Sequence, residues 1–254
     1  MSRRRSTLHI LPVTLVAFSL IALAACHSAT QGVRTDAPRG DGMLIPGSSE
    51  LVVSHFRDES GVARILGRAP VGDTTERDMG KSTFATHMSA GGTRLHSTSA
   101  YSGSGSQDTL VVRTQGLIPE TEQLRMRGSV TDITYDGPRL RISIKRGDST
   151  RTYDRVYPEA PFAFNQLEQI VRSLPFRAGF QAVVPLFSEQ DAKVEYDTVH
   201  VVGRELVAGR QGWRVRFADP VIVSTYVIDE ATRELLEQVV MPRRGGRMRY
   251  VKAS

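Results

Sequence analysis

Beyond Glu50, apolar residues recur at every second position in short runs separated by turn formers. Examples are "ELVVSHF", "STFATHMS", "TRLHSTSAYS" and "DTLVVR". A period of two gives each run one apolar and one polar face, and many such runs at short spacing predict an antiparallel β domain of about ten strands. In "TDITYDGPRLRISIK" the Asp136-Gly137 pair predicts a two-residue hairpin loop. That loop would set Ile133 opposite Leu140 and Asp132 opposite Arg141, an apolar pair and an ion pair on alternating faces. Leu140, Ile142 and Ile144 share one face of the second strand, and Arg139, Arg141, Ser143 and Lys145 the other. "GWRVRFAD" repeats the pattern, with Trp213, Val215 and Phe217 on one side. "STYVIDEATRELLEQVVM" predicts a hairpin turning near Asp229–Thr232, and "RRGGRMRYVK" a turn at Gly245-Gly246 before a last strand.

One stretch has the other period. In "FNQLEQIVRSLPF", Leu167, Ile170, Val171 and Leu174 follow the i, i+3, i+4, i+7 spacing of an amphipathic helix. Asn165 and Glu168 suggest a capping box, and Pro175 stops the helix. A single helix near 165–174 in a β protein must lay its apolar stripe on the dry face of the sheet.

The first 49 residues obey neither pattern. Arg3, Arg4 and Arg5 precede an apolar run from Leu8 to Ala25 that ends in small residues, the layout of a secretory signal. The run is too short and too interrupted for a membrane span. Residues 28–49, rich in Gly, Pro, Ser, Asp and Thr, read as a tether. The expected organisation is a signal peptide at 1–25, a lipidated N-terminus and tether at 26–49, and a β-rich domain at 50–254.

Composition changes this picture little. Hydrophobic residues make up 40% of the chain and charged residues 24%, enough apolar mass for one sizeable core. The net charge of +6 suggests nucleic acid, but without the three N-terminal arginines it falls to +3, and the remaining charges are mixed in sign. No nucleic-acid partner is expected.

The chain has one cysteine, Cys26, which excludes an intrachain disulfide or a Cys-based zinc site. "LAAC" at Leu23–Cys26 resembles the lipobox of bacterial lipoproteins. The resemblance implies diacylglycerol transfer to the Cys26 sulfur and cleavage between Ala25 and Cys26. It further implies a protein held in the bacterial envelope by buried acyl chains. His27 stands where Asp would favour the inner membrane in enteric bacteria, so the expected location is the periplasmic face of the outer membrane.

A second resemblance covers residues 108–252. "DTLVVRTQGLIPETEQ", the "YDG" hairpin and "STYVIDEATRELLEQ" are similar to segments of uncharacterised exported proteins with the fold of the periplasmic lipoprotein carrier and outer-membrane lipoprotein receptor. Val227 departs from that pattern, which has an aromatic residue after the tyrosine. The resemblance implies a strongly curved antiparallel sheet, an incomplete barrel, with the helix on its concave side. In the carrier and receptor that side holds acyl chains. Ile133, Leu140, Ile142, Trp213, Val215 and Phe217 are the candidate ligand-lining residues, and packing of the same stripe against the helix is the alternative.

No catalytic motif accompanies these features. "GDTTERDMGKST" ends in Gly80-Lys81-Ser82, but a phosphate-binding loop needs Gly at 75, which is Thr. Ser104 in "YSGSGSQD" lacks the flanking glycines of a nucleophile elbow. His55, His87, His96 and His200 form no metal-binding spacing. The sequence therefore points to a non-enzymatic envelope lipoprotein, without metal or cofactor, whose β body binds a hydrophobic ligand or a partner protein. A scaffold or assembly factor without ligand is the alternative, followed by a hydrolase with a dispersed site.

Overall fold

The structure, a computed structural model, describes residues 42–69, 75–189, 192–219, 221–243 and 245–252. The readings that fall on residues 1–41, with Ala25 and Cys26 among them, lie outside the described residues. The first meander runs β1 (Glu59–Arg68), β2 (Arg77–Met88), β3 (Arg94–Tyr101), β4 (Ser106–Arg113), β5 (Ile118–Met126), β6 (Ser129–Asp136), β7 (Arg139–Arg146) and β8 (Ser149–Val156). The chain then forms the two-residue β9 (Phe162–Ala163), a 3₁₀ turn and helix α1 (Leu167–Ser173). The second meander runs β10 (Gln181–Ser188), β11 (Lys193–Val207), β12 (Arg210–Ala218), β13 (Ile222–Asp229), β14 (Leu235–Pro242) and β15 (Arg247–Lys252).

All fifteen strands belong to one sheet, in which β1 pairs with β15 and so joins the meanders side by side. Every pairing is antiparallel except β9 with β10. The sheet edges are β8 and β9. Laid flat, fifteen strands would span about 65 Å. Yet only residues 157–161 separate the two edge strands, a reach of about 20 Å. The sheet must therefore curl until its edges approach. Just past β8, the Tyr157 hydroxyl donates to the Ala192 carbonyl in the β10–β11 turn at 2.8 Å, and the Tyr157 ring lies 6.0 Å from that of Phe187 on β10. The body is thus a mainly β, non-closed, barrel-like sheet with one short helix. β8 keeps its open edge soluble with exposed, mostly polar and charged residues such as Arg151, Asp154 and Arg155.

Helix α1 lies inside the curl. Its predicted stripe is fully committed, with Leu167, Ile170, Val171 and Leu174 all buried. The expected capping box does not form. Gln166 stands at the N-cap without a capping bond, its amide donating to the Leu117 carbonyl at 2.7 Å, while Asn165 donates to Glu122 and Glu168 pairs with Arg172. The 3₁₀ turn at Phe164–Gln166 displaces the helix start, so Asn165 is no longer placed to cap it.

Three other expectations change. The "YDG" hairpin pairs Asp136 with Arg139, Tyr135 with Leu140, and Ile133 with Ile142, not Ile133 with Leu140. The loop is Gly137-Pro138: Gly137 has φ +57°, and proline's fixed negative φ suits the second position of a type II′ loop. The relative shift is two residues, so every side chain keeps its face. "ELVVSHF" is not a strand. Residues 51–58 are turn and loop, and they send Leu51 and Phe56 into the core. Residues 42–49, read as tether, pack on the body: Leu44 is buried and its N–H donates to the Val183 carbonyl at 2.8 Å. The carboxylate of Asp229 ties the β13–β14 turn, accepting from the Thr232 N–H at 2.7 Å and the Ala231 N–H at 3.0 Å.

The packed N-terminal segment makes one sharp prediction. Gly47 donates to the Gly116 carbonyl at 2.8 Å, and Gly116 has φ +73°. A Cβ at 116 would sit 2.5 Å from the Gly47 Cα. Gly116→Ala combines left-handed strain with a backbone clash and is expected to cost about 1–3 kcal/mol. Limited proteolysis should then cut near residues 42–49 before the rest of the body. An unchanged cleavage pattern would show that this contact does not hold the segment.

Candidate functional site

The inner face of the curled sheet is divided. All six candidate lining residues come together on its apolar part: Ile133, Leu140, Ile142, Val215 and Phe217 are at most 2% exposed and Trp213 is 8% exposed. They share one cluster with side chains that come from inside the curl, including Leu44, Phe162, Ile170, Leu174, Phe180 and Phe187. Trp213 is covered by the chain's own groups. The Phe176 ring stacks at 5.9 Å between centroids, and the Arg204 guanidinium lies 5.1 Å from the ring centre. The stripe is brought together as the geometry of a packed core requires.

The unusual chemistry lies next to this core. Strand alternation puts Asp108 on the same face as the buried Leu110 and Val112, and Glu122 on the inner face of the next strand. Glu122 is 2% exposed, and both its oxygens are occupied. The Tyr135 hydroxyl donates to Oε2 at 2.7 Å, and the Asn165 amide to Oε1 at 2.8 Å. Burial raises its pKa, and those two donors partly offset the rise. Asp108, 7% exposed, has a buried Oδ1 with no partner. Burial, then the charges of Glu122 and Glu189, pushes its carboxyl up to about 8. Burial and Glu122 push Glu189, at the end of β10, to about 7. The Tyr135 hydroxyl is held protonated, well above the usual tyrosine range, by burial and the same carboxylates. Beyond burial in this poorly hydrated site, the Glu122 charge thus raises both Asp108 and Glu189.

Beyond Asp108 the inner face is hydroxyl-rich. The side chains of Ser82 and Ser99 hydrogen-bond Tyr101, whose pKa is raised by burial and then by Asp108. Across the curl, the Gln238 amide donates to the Tyr226 hydroxyl at 3.3 Å. From α1, the Gln169 amide donates to Ser97 at 3.2 Å. Farther round, Asp197 on β11 is 1% exposed, both its oxygens lack partners, and burial with Asp219 and Glu195 raises it to about 7.

The helix is locked by a second charged cluster. Arg172, 4% exposed, pairs with Glu59 and with Glu168 (3.2 Å), and donates to the Arg233 carbonyl at 2.8 Å. Arg233 returns two bonds of 2.8 Å, to the carbonyls of Arg172 and Leu174. His55 lies beside this cluster with both ring nitrogens unpartnered. Burial, Arg172, Arg233 and Arg57 lower its pKa to about 3, so it is neutral. The other histidines are dispersed. His87 faces His96 across β2–β3 and lies 3.8 Å from Asp58, and His200 sits on the outer face of β11. No group of three metal-ligating side chains occurs among the described residues. Sequence reasoning passed over Asp108 and Glu122: Asp108 shares its parity with the apolar Leu110 and Val112, whereas Glu122 is turned inward after a register shift that its own neighbours, Glu120 and Leu124, do not announce.

No family model matches the sequence, and no curated protein matches it. Among solved structures, the body is similar to the crystal structure of a β-barrel-like protein of the domain of unknown function DUF1849 from Brucella abortus. The superposition has a TM-score of 0.53 at 10% sequence identity and covers 80% of this chain and 98% of that one. At that identity the likeness concerns the fold alone.

Proposed function

We propose that this protein is a lipoprotein of the bacterial cell envelope, acylated at Cys26, whose β body is a non-enzymatic binding and assembly module presented from the periplasmic face of the outer membrane. The observation that carries the reading is the run Leu23-Ala24-Ala25-Cys26, placed directly after a basic start and an apolar stretch and holding the only thiol of the chain. The thiolate is the nucleophile for alkylation, and two or more acyl chains give stable anchoring where one gives only marginal binding. The body supports a binding or scaffold role over an acyl-chain carrier, because the apolar part of its inner face is spent on packing α1 and the loop at residues 51–58. Partners of this module would be envelope proteins or lipid at its outer surfaces, since the acyl-chain position implied by the carrier-like resemblance coincides with Trp213, Val215 and Phe217, which the chain itself covers.

Cys26→Ser expressed in a Gram-negative host tests the anchor. The wild-type protein is expected in the detergent phase and labelled by a fatty-acid probe, and the variant in the aqueous phase without label. Equal partitioning and equal labelling would overturn the proposal.

A further inference from the structure

The outer face of β11–β14 carries a groove of about 560 Å³, within the size range of small-ligand sites. Pairing sets His200 beside Arg216, and Arg216 beside Thr225, along its floor. Arg214 and Arg243 flank that row, and Val202, Val223, Met241 and Pro242 complete the walls. Val202 and Met241 are 44% and 41% exposed, and with Val223 and Pro242 they give the groove an apolar wall open to solvent. No carboxylate lines the groove. At the wall, Arg214 is already paired with Glu205 through two hydrogen bonds, and Asp219 accepts the N–H groups of Val221 and Ile222. Arg243 is steered by two bonds to the Asp219 carbonyl at 3.0 and 3.2 Å. The Arg216 guanidinium forms no hydrogen bond or ion pair among the described residues.

We propose that this groove binds the head of an anionic phospholipid, with the phosphate on Arg216 and Arg243 and the glycerol and first acyl carbons against Val202, Val223, Met241 and Pro242. The charge pattern selects this occupant. An unopposed guanidinium favours a phosphate, which arginine meets with paired N–H donors. Exposed apolar walls around the same cation favour an amphiphile over a free ion. Such a contact would lay the β11–β14 face on a membrane. It does not depend on Cys26, because every residue involved lies on the body.

The test is sedimentation of the mature chain, residues 26–254 carrying Cys26→Ser, so that neither an acyl anchor nor the basic, apolar leader contributes, with vesicles of phosphatidylcholine alone or containing phosphatidylglycerol. Binding is expected to increase when phosphatidylglycerol is present, and Arg216→Glu is expected to weaken that added binding about thirtyfold, as a change of two charges at about 1 kcal/mol each predicts. Arg151→Glu makes the same charge change on the exposed edge strand β8 and should leave it nearly unchanged. Unaltered melting of the Arg216 variant shows that folding is intact. Equal binding to both vesicle types, or equal effects of the two variants, would each overturn the proposal. A failed Cys26→Ser fractionation would leave these results standing, and the reverse holds too.

Discussion

Raising the pH from about 6.5 to about 8.5 is expected to lower the melting temperature by roughly 6–10 °C, with most of the loss removed by Asp108→Asn. The sign follows from proton binding. The Asp108 carboxyl rises from 3.8 in the unfolded chain to about 8 in the folded one. The folded state therefore holds a proton that the unfolded state has released. The stability from that proton is complete below the unfolded value and is lost as pH climbs to the folded value. At about 1.4 kcal/mol per pH unit, the interval from 6.5 to 8 costs roughly 2 kcal/mol from Asp108 alone. Glu189 and Asp197, each held near 7, lose the last part of their own contributions in the same window and add roughly 1 kcal/mol. His55 does not interfere there: its pKa is lowered from 6.5 to about 3, so its contribution falls away only below 6.5. Asparagine reproduces the shape of a neutral Asp108 without its proton. Differential scanning calorimetry across the window checks the prediction. A flat profile, or a wild-type slope in Asp108→Asn, would show that Asp108 is hydrated and charged in the folded state.

Arg172→Met is expected to lower the melting temperature by on the order of 10 °C, through a loss of about 3–5 kcal/mol. The cause is less the loss of attraction than what remains. Removal of the guanidinium leaves Glu59 and Glu168 facing each other in a half-buried space, and the Arg233 carbonyl without its donor. The Phe56 ring also loses the cation 5.4 Å from its centre. Adding Glu59→Gln and Glu168→Gln to the same chain should recover part of the loss, because neutral amides carry no unpaired charge. Melting within a degree or two of wild type for Arg172→Met would mean that the two carboxylates reach water and the cluster does not hold α1.

These two effects arise where local pattern and tertiary placement disagree. The strands themselves follow from alternation: "DTLVVR", "GWRVRFAD" and the hairpin at Asp229–Thr232 become β4, β12 and the β13–β14 turn with the faces their residues dictate. The helix follows from its i, i+3, i+4, i+7 stripe. "ELVVSHF" fails because its apolar residues serve a loop plug inside the curl, where no partner strand is available. β8 goes unread because an edge strand lacks the apolar face that reveals the others. Asp108 and Glu122 are the counterpart case. The parity of Asp108 is legible and that of Glu122 is hidden by a register shift, and neither says that these carboxyls meet Tyr135, Asn165 and Glu189 in one dry site.

The sequence by itself determined the β class, the single helix, the faces of the strands and the motif at Cys26, because each is written in local spacing that needs no distant partner. The tertiary structure alone decided the pairing of β1 with β15, the curl that brings β8 near β9, and the filling of the inner face by α1 and residues 44–56. It alone set three carboxyl groups within reach of one another and left Arg216 unopposed beside exposed Val202 and Met241. Those outcomes depend on contacts between residues far apart in the chain, and a period of two or 3.6 carries no information about which strand lies next to which.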